Sequence, residues 1–268
     1  MSEVKKTKVH LISGFLGTGK TTALKSLMEQ KDPNEKWVII VNEFGEIGID
    51  GAVLSDNGIP VAEIAGGCLC CTAGPQMGVT VQKMLRDAKP DRLMIEASGL
   101  AHAASVIDEL KAKPLDSLLE IGAVFTVVDP RQFINPDYAQ QALYKDQIGI
   151  CDVLVASKTD LCTPEQLAEF HDKAAKLFPP KAKVVEVQNA QLDIQWLDIP
   201  VIEKSRYRLK ALPDNTMGFQ SQGFTFPAGR DFDGEKLTNF FNDLPKFTDG
   251  LVRAKGVFQV LGTWVWLN

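Results

Sequence analysis

The stretch GFLGTGKTT, residues 14–22, constrains the fold of this 268-residue chain more than any other feature. It fits the pattern GxxxxGK[ST], in which glycines let backbone amides surround an anion at the start of a helix. An apolar run, Lys8–Ser13, precedes it, and a helix-like segment, Lys20–Glu29, follows it. A strand before and a helix after are the context that a phosphate-binding loop requires. A plain glycine-rich turn is the alternative interpretation.

Apolar, β-branched runs recur along the chain with amphipathic segments between them. Alternating strands and helices predict an α/β fold, here the doubly wound, mainly parallel sheet of a P-loop NTPase. Mostly apolar strands are typical of a parallel sheet that is covered on both faces. We predict strands at Lys8–Ser13, Trp37–Asn42, Arg92–Glu96, Gly122–Asp129, Val153–Ser157 and Ala182–Glu186, and helices at Lys20–Glu29, Gln76–Ala88, Ala103–Lys111 and Pro164–Leu177, the last with Thr163 as its N-cap.

The alternation of strands and helices stops after about 196 residues. We predict a P-loop domain at residues 1–197, a polar, proline-punctuated linker at 198–215, and a small α+β C-terminal domain at 216–268. In that second domain we expect strands at Gly218–Pro227 and Leu251–Leu267 and a helix at Asp233–Leu244.

Composition excludes several classes of function. The net charge is −5 and no basic stripe carries interleaved aromatic residues, so we expect no nucleic-acid partner. No apolar run approaches the roughly 20 residues that cross a bilayer, and the N-terminus is unlike a secretory signal, so we expect no membrane partner. We therefore expect a cytoplasmic protein with reduced thiols, whose cysteine cluster binds metal or acts in redox chemistry rather than forming a structural disulfide.

The residues of the phosphate loop are predicted to have different roles in nucleotide binding. The Lys20 ammonium is expected to reach the β and γ phosphates of a nucleotide, and the Thr21 hydroxyl to ligate Mg²⁺. The residues that bind the phosphates through their backbone are predicted to be Gly14, Gly17, Thr18, Gly19 and Thr22.

Phosphoryl transfer also needs an acid at the end of a strand, which holds the magnesium ion or its water. Glu96 follows the apolar residues 93–95 and takes this place, while Gly99 is where a switch backbone approaches the γ phosphate. A plain strand-end carboxylate is the alternative for Glu96. Asp129 is a second strand-end acid with a weaker case, because no glycine follows it.

The segment Ser157-Lys158-Thr159-Asp160 predicts the choice of base. In GTPases an [N/T/S]KxD element places the carboxylate against the N1 and N2 donors of guanine, with the lysine stem over the base. Adenine lacks that pair of donors, so Asp160 would be left unpaired and would disfavour ATP. Asn189, in the stretch after the next predicted strand, is expected to complete the base pocket.

Three of the five cysteines fall within GGCLCC, residues 66–71. Neighbouring residues of an extended strand point to opposite faces, so Cys68, Cys70 and Cys71 reach one ion only if the chain turns there. Thiolates favour Zn²⁺ or other soft, borderline metals, and three local thiols leave a fourth position to a carboxylate, to water or to nothing. A vicinal disulfide or inert core thiols are the alternatives. We interpret Cys151 and Cys162 as buried structural thiols.

The segment NEFGEIGIDG, residues 42–51, follows the second predicted strand, where a GTPase has its first switch. Glu43 and Glu46 are candidate metal ligands beside the thiols, and Asp50 is a candidate to face the nucleotide. For each carboxylate a solvated loop acid is the alternative.

In this order, the motifs resemble those of the CobW family of P-loop metallochaperone GTPases, which is related to the nickel-insertion GTPases of urease and hydrogenase. The resemblance continues into GFTFPAGRDFDGEKLTNFFNDLP and VRAKGVF and so covers nearly the whole chain. Two departures are the lack of a histidine-rich stretch, which many members carry, and a C-terminal module shorter than is common. The matching motifs are GFLGTGKTT, NEFGEIGIDG, GGCLCC, EASG at 96–99 and SKTD at 157–160.

The resemblance implies GTP-dependent binding and delivery of a metal, with zinc as the usual cargo and cobalt, nickel or iron as alternatives. It carries over phosphate and magnesium binding to Lys20 and Thr21, guanine recognition to Lys158 and Asp160, and metal binding to Cys68, Cys70, Cys71 and Glu46.

The expected partners are GTP and a metal-requiring client protein, and a homodimer is left open. In this interpretation GTP and Mg²⁺ order residues 42–51, and slow hydrolysis changes the geometry around the thiols and releases the metal. Two other functions stay open: a passive zinc buffer or sensor with a structural nucleotide site, and an ATP-dependent kinase or ligase with a structural zinc loop.

Overall fold

A computed structural model of the chain describes residues 5–43, 59–65, 74–201, 230–247 and 256–267, together with Phe226 and Ala254. Its larger unit is built on a seven-stranded sheet in the order β3-β2-β4-β1-β5-β6-β7. Each neighbouring pair in this sheet is parallel, which confirms the predicted α/β class. The strands are β1 Thr7–Ser13, β2 Trp37–Glu43, β3 Val61–Ala65, β4 Arg92–Glu96, β5 Leu119–Val128, β6 Val153–Ala156 and β7 Lys183–Glu186.

The helices of this unit connect the strands across both faces of the sheet. They are α1 Lys20–Glu29, α2 Gly74–Ala88, α3 Ala103–Leu110, α4 Pro130–Ile134, α5 Pro136–Ala139, α6 Ala142–Ile150 and α7 Pro164–Ala175. Thr163 caps α7 as predicted, in a reciprocal capping box with Gln166. None of the helices in the part of the chain that the structure describes is long and apolar enough to cross a bilayer.

The sheet is covered on both faces, as its apolar strands predict. Along β2, Val38 and Ile40 belong to one buried cluster, with residues of α2, α3 and α6. Ile39 and Val41 belong to the other, with residues of α1 such as Leu24. Because side chains of a strand alternate between the faces, a strand buried on both sides must be apolar throughout. The carboxyl ends of the parallel strands then share one edge, where the predicted motifs lie.

Four elements are absent from the sequence prediction. The edge strand β3 has only five residues and follows Pro60. The helices α4, α5 and α6 fill the stretch between β5 and β6. Asp129 and Asn135 cap α4 and α5 with their side chains, and each of these helices begins with a proline at its first position. Such a start suits proline, whose fixed φ fits the first turn and whose missing N–H is not needed there.

The chain divides into two compact units, Met1–Ser221 and Gln222–Asn268. The predicted domain bounds and the linker at 198–215, most of which lies outside the described residues, stay predictions. In the smaller unit, α8 Gly234–Phe247 overlaps the predicted helix.

The single strand expected at Leu251–Leu267 is wrong. The chain reverses at Leu261 and Gly262, whose φ angles are 50° and 76°, so the stretch forms an antiparallel hairpin of β8 Gly256–Val260 and β9 Thr263–Leu267. A two-residue turn with two positive φ angles matches the twist of the flanking strands. Of the strand expected at 218–227, only Phe226 is described.

Candidate nucleotide site

The phosphate loop joins β1 to α1 at the carboxyl edge of the sheet. At Gly14, where φ is 139°, a Cβ would lie 2.2 Å from the carbonyl oxygen of Val127, so a side chain has no room there. The Thr18 hydroxyl and the Lys20 ammonium both donate to the carbonyl oxygen of Phe15, each at 3.0 Å. The buried ammonium of Lys20 is thereby held against the loop that is predicted to bind phosphate.

The remaining predicted residues of the loop lie in and just after it. Gly17 is part of the turn, Gly19 is the N-cap of α1, and Thr22 is exposed in the first turn of that helix. The N–H groups of this first turn and the helix dipole favour an anion at the same end of α1.

Thr21 and Glu96 come together at the start of α1 and the end of β4. The Thr21 hydroxyl donates to Oε1 of Glu96 at 2.8 Å, and both residues are buried. Hydroxyl and carboxylate oxygens are hard ligands of the kind that Mg²⁺ prefers, so these two residues fit the predicted ion.

Asp129, the other strand-end acid, is engaged differently. Its carboxylate accepts the backbone N–H of Arg131 at 3.0 Å and forms a two-pronged ion pair with the guanidinium at 2.9 and 2.7 Å. Burial alone would raise the pKa of the Asp129 carboxyl, but the hydrogen bonds from Arg131 outweigh it and lower that pKa. Asp129 therefore caps α4 and is paired within the chain.

The predicted base-recognition segment touches the phosphate loop directly. The buried Ser157 hydroxyl donates to the carbonyl oxygen of Thr18 at 2.7 Å. Lys158 follows with a left-handed backbone, φ 55°, and Asp160 is exposed to solvent. The Thr159 hydroxyl donates to the carbonyl oxygen of Val187 at 3.4 Å, which links this segment to the next loop.

The loop after β7 lies against the start of α1. A Cβ at Gly19 would be 3.4 Å from the Cβ of Ala190, and the Ser26 hydroxyl donates to the Ala190 carbonyl at 3.3 Å. Asn189 is exposed there with φ 51°. The structure thus brings residues 14–22, 157–160 and 187–190 to one edge of the sheet.

The predicted metal residues lie outside the part of the chain that is described. This holds for Glu46 and the three clustered cysteines and for the side chain of Glu43, and Asp50, which was predicted to face the nucleotide, lies outside that part as well. Within the described ranges, no three His, Cys, Asp or Glu side chains are placed to hold one metal ion. Of the two other cysteines, Cys151 is buried as expected, whereas Cys162 is partly exposed and was wrongly expected to be buried.

The backbone nevertheless fixes where the two undescribed segments leave the sheet. Glu43, the last residue of β2, is in register with Ala65, the last residue of β3. Val41 of β2 is in register with Glu96 of β4. The segment that follows β2 and the cysteine segment that follows β3 therefore start at neighbouring strand ends, and β2 separates β3 from the strand that carries Glu96.

A further contact at this edge had no signal in the sequence. Gln147, in the middle of α6, donates from Nε2 to the carbonyl oxygens of Gly99 and Ala101, both at 3.1 Å. The sequence around a polar residue inside a short helix does not indicate that its side chain contacts a loop 46 or 48 residues upstream.

The fold and this edge define a P-loop nucleotide-binding protein. Residues 8–186 match the family described as CobW/HypB/UreG, nucleotide-binding domain. The chain therefore belongs to the CobW/HypB/UreG family of P-loop GTPase domains, as its motifs predicted.

Two named relatives show how far the likeness extends. The zinc chaperone YeiR of Escherichia coli is 46% identical over 280 aligned positions, which cover 95% of this chain and 83% of YeiR. The zinc chaperone CobW of Pseudomonas aeruginosa is 30% identical over 228 positions, which cover 74% of this chain and 60% of that protein. The chain thus spans most of the length of YeiR but less than two thirds of CobW.

Solved structures agree on the fold. The Zn(II)-bound YjiA GTPase of E. coli superposes with a TM-score of 0.52 at 20% identity, over 98% of this chain and 89% of that one. HypB of Helicobacter pylori, in complex with nickel, gives a TM-score of 0.50 at 19% identity, over 72% of this chain and 83% of that one.

Proposed function

We propose that this chain is a GTP-hydrolysing metallochaperone that binds zinc through Cys68, Cys70 and Cys71 and delivers it to a client protein. Membership of the family and the 46% identity to the zinc chaperone YeiR support the class of function. The observation that carries the proposal is the 2.8 Å hydrogen bond between Thr21 and Glu96 at the mouth of the phosphate loop. It joins the helix that would hold the phosphates to the strand that borders β2.

Thr21 and Glu96 would hold the magnesium ion that accompanies the nucleotide. The ion, when bound, neutralises charge on the phosphate oxygens. Lys20 adds a positive charge within the loop, and the first turn of α1 adds N–H donors. Among the described residues Arg131 is already held by Asp129, so it is not offered to the phosphates as an arginine finger. We therefore expect slow intrinsic hydrolysis.

The order of the strands supports coupling between nucleotide and metal. The switch candidate 44–51 follows β2, which pairs with the strand that ends at Glu96, and the cysteine segment follows β3, which pairs with β2. A change at the Thr21–Glu96 contact has one strand spacing to cross before it reaches the switch candidate and two before it reaches the cysteine segment. In this proposal Asp50 faces the nucleotide, and Glu43 and Glu46 complete the zinc site beside the thiols.

Exposure of the Asp160 carboxylate supports guanine as the base. Lys158 precedes it, and Ser157 fixes the segment to the phosphate loop through the Thr18 carbonyl. A guanine base would give the carboxylate two N–H donors, whereas adenine would leave it without them. Asn189 lies on the neighbouring loop and is proposed to line the same pocket.

Competition between nucleotides tests the guanine assignment. Fluorescent GDP bound to the full chain is displaced with GTP or ATP, in the wild type, in Asp160→Ala and in Asp116→Ala, an exposed aspartate before β5 at the opposite edge. We expect GTP to compete at least about 100-fold better than ATP, and Asp160→Ala to lose about 10- to 100-fold of GTP affinity, from the worth of hydrogen bonds to a charged group. Asp116→Ala should behave as the wild type. Unchanged GTP binding in Asp160→Ala would refute guanine recognition and favour an ATP-dependent enzyme.

Zinc stoichiometry tests the metal assignment separately. The wild type should bind one zinc ion, and a variant with Ser at 68, 70 and 71 should bind none. Cys162→Ser is the matched control, because it removes a partly exposed thiol outside the cluster and should leave the stoichiometry at one. Full zinc binding by the triple variant would exclude the cysteine cluster as the metal site.

A further inference from the structure

The loop after β4 is pressed against the phosphate loop at Gly99. A Cβ at this position would lie 2.8 Å from the backbone nitrogen of Leu16 and 3.0 Å from its Cα. Only glycine allows so close an approach of the two backbones. Glycine is also the residue with the most backbone freedom to lose, so a well-defined backbone at Gly99 requires an anchor from elsewhere in the fold.

Gln147 of α6 supplies that anchor. The residue is 1% exposed, and its Nε2 donates to the carbonyl oxygens of Gly99 and Ala101, each at 3.1 Å. These bonds use both hydrogens of the amide, and two carbonyl acceptors fix which end of the amide faces the loop. The backbone carbonyl of Gln147 in turn accepts a hydrogen bond from the Thr126 hydroxyl at 2.7 Å, which ties α6 to β5.

The residue before Gln147 holds the far end of the same loop. Oδ2 of Asp146 accepts the backbone N–H of Ala104 at 3.4 Å and lies 3.7 Å from Nδ1 of His102. His102 and Ala104 flank the start of α3, so a carboxylate from a neighbouring helix serves the first turn there. Burial raises the pKa of the Asp146 carboxyl above its usual value.

The same helix also reaches the phosphate loop. Tyr144 is buried and packs edge-on against Phe15, with ring centroids 6.2 Å apart. Helix α6 thus contacts both loops that are predicted to surround the γ phosphate.

We propose that Gln147 is a positioning residue that sets the Gly99 backbone for the γ phosphate and so determines how strongly the site prefers GTP over GDP. This inference rests on the proposed GTP-binding function. Two hydrogen bonds to the carbonyls of the loop hold the backbone of Gly99 before the nucleotide arrives, so binding of the γ phosphate need not order it. GDP lacks that phosphate and gains nothing from the anchor.

The test compares the affinities of the full chain for GDP and for a non-hydrolysable GTP analogue. Gln147→Met keeps the length of the side chain and removes both donors. We expect its GDP affinity to stay within about twofold and its affinity for the analogue to fall about tenfold, as for the loss of one or two hydrogen bonds. Gln147→Asn keeps the donors on a shorter side chain, so its affinity for the analogue should lie between those of Gln147→Met and the wild type. It replaces Gln147→Met in the test if that variant does not fold.

Thr126→Val is the matched control, since it removes a buried hydrogen bond to the backbone of the same residue and spares the amide. It should lower the melting temperature without changing the ratio of the two affinities. An unchanged ratio in both Gln147 variants, or an equal loss for both nucleotides, would overturn the inference. A wild type that binds no GTP would instead overturn the proposed function.

Discussion

The two ends of β4 show opposite uses of charge. Arg92 begins the strand, and its guanidinium is shared between Glu35 at 2.7 Å and Asp198 at 2.8 Å. Glu96 ends the strand and meets a hydroxyl, that of Thr21. At the amino edge of the sheet opposite charges satisfy each other within the chain. At the carboxyl edge Asp129 is paired with Arg131 in the same way, but Lys20 and Ser157 donate to backbone carbonyls rather than to a carboxylate.

The amino edge also holds a buried histidine in its neutral form. Nδ1 of His10 lies 3.3 Å from the Ala123 carbonyl and Nε2 lies 3.2 Å from a guanidinium nitrogen of Arg92. A carbonyl only accepts and a guanidinium only donates, so the proton is on Nδ1. Burial, and then the charge of Arg92, lower the pKa of His10 to about 4. This comparison predicts that changes at the amino edge alter stability, whereas changes at the carboxyl edge alter nucleotide binding.

The largest effect is expected for Lys20→Ala. Loss of hydrogen bonds from a charged group to the β and γ phosphates should weaken GTP binding by about 1000-fold, at roughly 2 kcal/mol for each bond, and GDP binding, which has only the β contact, by about 30-fold. The unfolding free energy should change much less, by about 1 kcal/mol, the worth of a hydrogen bond such as the one from the ammonium to the Phe15 carbonyl. Isothermal titration with each nucleotide and urea unfolding measure the two quantities. A loss of affinity below threefold would contradict the assignment of this edge.

Arg92→Leu should lower stability and leave nucleotide binding nearly unchanged. Its side chain is only 12% exposed, and its removal takes the guanidinium away from Glu35 and Asp198, which keep their contacts with Trp37 and Lys8. We expect a loss of about 2–3 kcal/mol in unfolding free energy, less than for a fully buried pair because Asp198 is half exposed, with GDP affinity within twofold. Lys5→Ala is the control at the same edge, since its pair with Asp91 is exposed and should be worth under about 0.5 kcal/mol. Equal effects of the two variants in urea would refute the special role of Arg92.

His10 should make stability depend on pH. The unfolded chain takes up a proton at this residue near pH 6.5, and the folded chain only near pH 4, so acidification through this window favours unfolding. The contribution is fully present above pH 6.5 and is lost as the pH falls to about 4. A shift of this size is worth roughly 3–4 kcal/mol.

Urea unfolding at several pH values measures this contribution as the difference between the wild type and His10→Gln. The slope against pH should be smaller in His10→Gln than in the wild type. Parallel curves for the two proteins between pH 7 and pH 4.5 would show that His10 titrates normally.

Ser157→Ala is expected to give the smallest effect. It should lower both the unfolding free energy and the nucleotide affinity. Its hydroxyl joins the base segment to the phosphate loop at 2.7 Å and contacts the Val128 carbonyl at 3.1 Å. We expect about 1 kcal/mol of lost stability and a fall in nucleotide affinity of about threefold to tenfold, the worth of one buried hydrogen bond. A change in stability with no change in affinity would place Ser157 with the structural residues of the amino edge.

The sequence predicted the carboxyl edge better than the amino edge. Phosphate-loop spacing is local, so strand, loop and helix could be located from GFLGTGKTT alone, and six of the seven strands of the sheet were found within three residues. Arg92 and Asp198 are 106 residues apart and follow no pattern, so their pairing depends on the topology of the sheet. Gln147 was missed for the same reason. The hairpin of the smaller unit was taken for one strand because Leu261, a large apolar residue, adopts a positive φ at its turn.

Zinc affinity, measured with GDP, with a non-hydrolysable GTP analogue and without nucleotide, decides whether the two binding functions are joined. If they are, the zinc dissociation constant should differ by at least about tenfold between the GDP and the GTP-analogue states, and zinc should change the affinity for the two nucleotides by the same factor. Lys20→Ala should abolish the difference while still binding zinc. Equal zinc affinity of the wild type in all three states would contradict a nucleotide-controlled metallochaperone and leave a zinc buffer on a P-loop fold.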